Sequence, residues 1–159
     1  MDHGAPATYR LSRPASPDEW AAYHAIRRRV AFEAGETDDD DPDEHAPGHY
    51  PLLLTLDQQP VGTIRVDSLN DSDAALRLVA IDPARQGEGH GRALLREAEA
   101  FARDIGCRRA VVYATPEAAG FYAAAGYAED DFDDNYFGGI VQMVKPLHYA
   151  GFALEDADG

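Results

Sequence analysis

Cysteine is nearly absent. Cys107 stands alone among 159 residues, which excludes an intrachain disulfide and fits a reducing cytoplasm. Long apolar runs are missing as well. No stretch approaches the ~18 residues that a membrane helix needs, and Met1 to Thr8 is short and polar, unlike a secretory leader. A cytoplasmic chain without a membrane partner is expected. Basic residues are scarce: 14 Lys and Arg face 29 Asp and Glu, for a formal net charge of −15. Such a surface repels nucleic acid and attracts cations, amines among them; solubility alone accounts for the excess equally well. No internal repeat is visible. What remains is ordinary for a globule, with 45% hydrophobic residues. The length suits one domain with one core. That domain is expected over residues 9–147, after an extension 1–8 and before a tail 148–159.

The chain reads as alternating strands and helices. Tyr9 to Arg13 suits a short first strand. Ser16-Pro17-Asp18-Glu19 is a capping box with proline at the first helical position. The helix it opens runs to about Glu33, with Tyr23, Ile26 and Val30 on one face. Arg27, Arg28 and Arg29 interrupt an acidic protein; solvation with one carboxylate pair, or one arginine reaching a ligand, are both open. Gly35 to Gly48 is an acidic loop whose charge argues against burial. It reads either as a solvated loop or as a lid that draws in a cation. No metal site is expected there: the EF-hand pattern fails at Pro42 and Asp43, and Pro47-Gly48 separates His45 from His49.

Three strands follow, Tyr50 to Leu56, Val61 to Ser68 and Ala75 to Ile81, joined by turns at 57–60 and 69–73. Short connections favour an antiparallel meander. A helix from about Arg92 carries Leu94, Ala98, Phe101 and Ile105 on one face, with Arg96, Glu97, Glu99 and Arg103 elsewhere, and Gly106 ends it. Arg109 to Ala114 is a continuous apolar run, as in a buried parallel strand. Thr115 caps and Pro116 opens a short helix through Phe121-Tyr122 to Gly126-Tyr127. Asp130 to Asp134 reads as a solvent-facing turn and Ile140 to Lys145 as a last strand. His148 to Gly159 is open between a disordered end and a segment packed on a second copy in a homodimer.

The informative stretch is Val79 to Arg92, Val-Ala-Ile-Asp-Pro-Ala-Arg-Gln-Gly-Glu-Gly-His-Gly-Arg. Strand, glycine loop and helix N-terminus together suit a phosphate cradle. Glycine lets the backbone approach an anion, and the first helical N–H groups lack partners and carry the positive end of the dipole. The dinucleotide spacing Gly-x-Gly-x-x-Gly fails, because Arg92 or Leu94 occupies its last position. The P-loop ending fails at Gly91-Arg92-Ala93.

What fits is Gln/Arg-x-x-Gly-x-Gly/Ala, here Gln86-x-x-Gly89-x-Gly91, with an Ala-Leu-Leu helix after it. It resembles the acetyl-CoA pyrophosphate loop of the GNAT acetyltransferase superfamily. A second stretch is similar to the family pattern Asn-x-x-Ala-x-x-Phe-Tyr-x-x-x-Gly-Phe: Thr115-x-x-Ala118-x-x-Phe121-Tyr122-x-x-x-Gly126-Tyr127. Thr115 stands in the Asn slot and Tyr127 in the Phe slot. The resemblance implies an α/β (α+β) fold, a mixed and mostly antiparallel sheet of about six to seven strands flanked by about four helices. It implies direct transfer of acetyl from acetyl-CoA to an amine, without a metal. It assigns cofactor contacts to Val79, Ala80 and Ile81 through their backbone, to Gln86, Gly87, Glu88, Gly89, His90, Gly91 and Arg92, and to Thr115 and Phe121. His90 is expected to contribute only its backbone. The acceptor site is expected from the region between the first helix and second strand.

Tyr122 is the expected general acid. A phenol near ~10 is protonated at neutral pH and can protonate a leaving thiolate. On a helix, neighbours point ~100° apart, so Phe121 is expected to fill the core while Tyr122 faces the cleft. The base is not legible. Between Ala75 and Ile81 the one charged side chain is Arg77. Glu33, His49, Asp67 or a water relay remain. A non-catalytic acyl-CoA-binding sensor or partner subunit is the alternative to an enzyme, and the acceptor and the acyl length stay open.

Overall fold

The computed structural model describes residues 8–33, 35, 44–134 and 138–147. Seven strands form a mixed sheet in the order β1-β2-β3-β4-β5-β7-β6. They are β1 (Tyr9–Ser12), β2 (His49–Leu56), β3 (Gln59–Ser68), β4 (Asp73–Ile81), β5 (Arg109–Ala114), β6 (Ala128–Glu129) and β7 (Val141–Pro146). β4 and β5 are parallel, whereas β1 with β2, β5 with β7 and β6 with β7 are antiparallel. Three α-helices, α1 (Pro17–Glu33), α2 (His90–Asp104) and α3 (Pro116–Ala124), accompany a 3-10 turn at Pro83–Arg85 among the described residues. About four helices were expected. The difference is one turn too short and too rich in proline to continue as α-helix. The chain divides into two compact units, Met1–Arg65 with Leu78–Ala98, and Val66–Arg77 with Glu99–Gly159.

In the first unit, α1 begins on the capping box read from the sequence. Ser16 Oγ accepts from the Glu19 N–H at 3.1 Å, and Glu19 Oε1 accepts from the N–H of Ala15 at 2.7 Å and of Ser16 at 3.2 Å. Those backbone donors hold the Glu19 carboxyl below its usual range. Tyr23 and Ile26 bury completely, with Leu53 and Ala80 in the same cluster. Each such side chain contributes roughly 1.5–3 kcal/mol of burial. β2 turns into β3 through two residues only, Asp57 and Gln58, at φ 49° and 74°. Two consecutive positive φ values match a type I′ hairpin, whose twist fits the strands. Gly62 lets the end of β4 come close: a Cβ there would meet Ala80 O and Ile81 Cδ1 at 2.9 Å. The Asp82 N–H then bonds Val61 O at 2.9 Å, which fixes where β4 hands over to the loop.

In the second unit, Asp73 and Arg109 pair through two bonds of 3.0 Å at the start of β4 and β5. The β4–β5 ladder runs from Asp73↔Arg109 to Ala75↔Val111. The N-cap of α3 is Thr115, whose Oγ1 accepts from Ala118 N–H at 3.2 Å. Gly126, at φ 102°, lies just beyond the C-terminal end of α3.

Several expectations need correction. α2 starts at His90, so Gly91 and Arg92 lie in its first turn. It ends at Asp104, so Ile105 leaves the apolar face and is exposed. Glu99 joins Leu94, Leu95, Ala98 and Ala102 in burial instead of lying on the polar side. On α3 the aromatic pair is reversed: Tyr122 is 8% exposed and Phe121 37%. The inward side of this short helix carries Ala118, Ala119 and Tyr122, and Phe121 shares the outward side with Glu117 and Ala124. Most of 130–134 is exposed as expected, but Asp133 is half-buried. It accepts from Tyr113 OH at 3.0 Å, and its N–H donates to Gln142 Oε1 at 2.8 Å. Residues 36–43 and the tail 148–159 lie outside the described residues.

Candidate active site

The glycine loop is built from main-chain conformation. β4 is extended except at Leu78, which sits at φ 56°, a left-handed value costly for a branched residue. Val79, Ala80 and Ile81 follow this kink. The 3-10 turn is capped by Asp82, whose Oδ1 accepts from Ala84 N–H at 3.1 Å. Gln86 Nε2 then donates back to Ile81 O at 3.2 Å, so the loop closes on the strand it left. Gly87 and Gly89 occupy φ 81° and 90°, which only glycine adopts without strain. The first helical bond runs from Ala93 N–H to Gly89 O at 3.4 Å. The N–H groups of Gly89, His90, Gly91 and Arg92 precede it and meet no protein acceptor among the described residues. No atom lies within 4 Å of a Cβ built on Gly87 or Gly89. Four free donors at a helix N-terminus beside open space fit a diphosphate.

The loop's side chains are also ordered. His90 is 4% exposed. Its Nδ1 lies 2.7 Å from Tyr9 OH and its Nε2 2.7 Å from Glu88 Oε1. Arg85 Nε reaches the same Glu88 oxygen at 3.1 Å. His90 first and Arg85 next hold the Glu88 carboxyl below its usual range. His90 is therefore not a backbone-only residue, and no local pattern could have shown it, because Tyr9 lies 81 positions away.

A cleft of about 730 Å³ opens beside the end of β4, lined by Arg28, Arg29, Phe32 and Glu33 of α1 and by Asp82 and Pro83. Arg29 Nη2 holds Asp82 Oδ2 at 3.1 Å. Phe32 is 82% exposed. Arg27 turns the other way, toward Glu44 at 3.5 Å. Glu44 also lies 3.5 Å from His24 and from His45. This carboxylate of the acidic loop is buried, against the solvated reading, because three basic side chains surround it.

In the second unit, burial pushes the Tyr122 phenol up from its usual value. Its ring meets Tyr127 edge-on at 5.7 Å. Tyr127 OH donates to buried Glu99 at 2.9 Å, and Lys145 Nζ donates to the other Glu99 oxygen at 2.9 Å and to Ala125 O at 2.8 Å. Burial, then the Glu99 charge, raises the Tyr127 phenol far above its usual range. Of the candidate bases, Asp67 is buried 3.2 Å from Arg77. His49 is the half-buried first residue of β2, and Glu33 is exposed at the cleft.

A family model described as the acetyltransferase (GNAT) family matches residues 7–127, most of the chain. The chain belongs to the GNAT acetyltransferase family. Among GNAT structures, an acetyltransferase from Thermus thermophilus is 25% identical, with TM-score 0.67 over 88% of this chain and 97% of that one. N-acetylglutamate synthase from Neisseria gonorrhoeae, solved with coenzyme A and N-acetyl-glutamate, shares the fold. It is 19% identical, with TM-score 0.69 over 91% of this chain and 36% of that one. Glucosamine 6-phosphate N-acetyltransferase 1 of Oryza sativa subsp. japonica is 39% identical over 51 residues. That match spans 32% of this GNAT chain and about a third, 31%, of the relative.

Proposed function

We propose that the chain transfers acetyl from acetyl-CoA directly to a primary amine of a small molecule, peptide or protein. One observation carries this reading: the free N–H groups of Gly89 to Arg92, ahead of the first bond of α2. They would hold the diphosphate, with Gly87 and Gly89 giving the backbone its turn. Val79 to Ile81, past the Leu78 kink, would meet the pantetheine arm through their main chain. Coenzyme A supplies the activated thioester; this chain's residues supply position and proton transfer.

An alkyl amine near ~10.4 is almost wholly protonated at pH 7, so attack requires a base. Glu33, in the cleft beside β4, or a water it holds, suits this role better than Asp67, which is committed to Arg77. The acidic composition favours a cationic acceptor drawn to that cleft. As the amine adds, a main-chain N–H at the end of β4 can stabilise the developing oxyanion. Tyr122 protonates the departing sulfur. Its burial, which raises the phenol, keeps that proton available at working pH. Thr115 and Phe121 would border the cofactor from α3.

The alternative, a silent acyl-CoA-binding module, is favoured by one feature: Arg77 is the only charged side chain between Ala75 and Ile81. Calorimetry with acetyl-CoA, together with a free-thiol assay across polyamines, amino acids, aminoglycosides and peptide N-termini, separates the two. Binding with turnover on at least one amine supports the enzyme; binding with none supports the module.

A further inference from the structure

We infer that His90 is a positioning residue, a buried pin that fastens the free-amide loop to strand β1 and to Glu88. The inference rests on the diphosphate reading above. It starts from a physical problem. The stretch Gly87-Glu88-Gly89-His90-Gly91 alternates glycine with other residues, and glycine loses the most conformational freedom on ordering. A loop that must be ordered by its ligand binds more weakly than one ordered beforehand. Something in the protein therefore has to hold the amides in place.

His90 has the geometry to do so. It is the first residue of α2, and its own N–H is one of the free donors. Its ring is 4% exposed, packed edge-on against Tyr9 at 5.8 Å. An ionised carboxylate can only accept, so Nε2–H donates to Glu88; in the neutral ring Nδ1 then accepts from the Tyr9 hydroxyl. The two bonds run to opposite anchors. Tyr9 is the first residue of β1, itself paired to Leu56 of β2. Glu88 lies inside the loop and is held a second time by Arg85. One imidazole thus ties the sheet edge, the loop and the helix start, and sets the direction of the N–H groups from Gly89 to Arg92.

The test uses the full chain with coenzyme A and acetyl-CoA as probes. Tyr9→Phe keeps the ring contact and removes one hydroxyl. His90→Gln keeps a donor toward Glu88 and loses the tie to Tyr9. Each is expected to raise the coenzyme A Kd by about three- to tenfold, the worth of one buried hydrogen bond. His90→Ala should exceed both, and Tyr9→Phe added to His90→Gln should cost nothing more, since both cut the same bond. The KM for acetyl-CoA should follow Kd, while kcat and the acceptor KM hold within about twofold. Wild-type affinity in folded Tyr9→Phe and His90→Gln would overturn the inference and leave the diphosphate reading intact. So would a fall in kcat that tracks the loss of affinity. A wild-type chain that binds no coenzyme A would overturn both.

Discussion

The glycine loop and the corner where α3 meets β7 work by opposite means. The loop acts through main-chain groups left without partners: Gly89 to Arg92 keep their N–H groups free beside open space. The corner acts through side chains that are fully engaged. Glu99 takes both Lys145 and Tyr127, and Tyr122 lies against Tyr127 with its phenol raised by burial. One region is built to receive an anion and the other to hold a proton. A substitution should therefore separate binding from turnover according to the region it strikes.

Tyr122→Phe should have the largest effect. Loss of a general acid lowers kcat by about a hundredfold or more, with coenzyme A affinity unchanged. Thiol release and calorimetry together check it. The wild-type pH profile sharpens the point. Because burial raises the phenol, its proton is lost only above the ordinary ~10, so kcat should rise as the amine deprotonates and should not fall before that pH.

Glu99→Ala should come next and should read as stability. It leaves the Lys145 ammonium and the buried Tyr127 hydroxyl without their acceptor, a loss of about 3 kcal/mol visible in a thermal melt. Gly89→Ala should do the reverse. At φ 90° an alanine costs about 1–2 kcal/mol, felt as a roughly tenfold weaker coenzyme A affinity. Gly120→Ala, in helical α3 with open space around it, should instead raise stability by about 0.5–1 kcal/mol.

The smallest effect concerns Asp73. Two Arg109 bonds depress its carboxyl in the folded state. A depressed acid contributes stability that is present above the unfolded value and is lost as pH falls through the folded one. Arg109→Gln should therefore flatten the decline in stability below about pH 4, by no more than about 1 kcal/mol, because the pair is partly exposed. Melts from pH 2 to pH 6 measure it.

The two regions also differ in how far the sequence reveals them. Loop, helix start and flanking strands could be read because glycine at Gly87 and Gly89, the turn at Asp82-Pro83 and the apolar run of β5 are local signals. The capping box at Ser16 was legible for the same reason. Side-chain partnerships were not. Glu99 looks like any charge on α2 until it meets Lys145, 46 positions on and the chain's only lysine. His90 meets Tyr9 across 81 positions, and Glu44 meets Arg27 across a loop whose composition suggested solvent. Phe121 and Tyr122 exchanged their expected places because nine residues of mostly small side chains give little amphipathic signal.

The most direct test of the central claim is an amide-resolved titration of the nitrogen-15-labelled chain with coenzyme A. The account expects the N–H signals of Gly89, His90, Gly91 and Arg92 to move most, in step with saturation. Saturable binding that leaves those four signals in place, with the largest changes elsewhere, would contradict it.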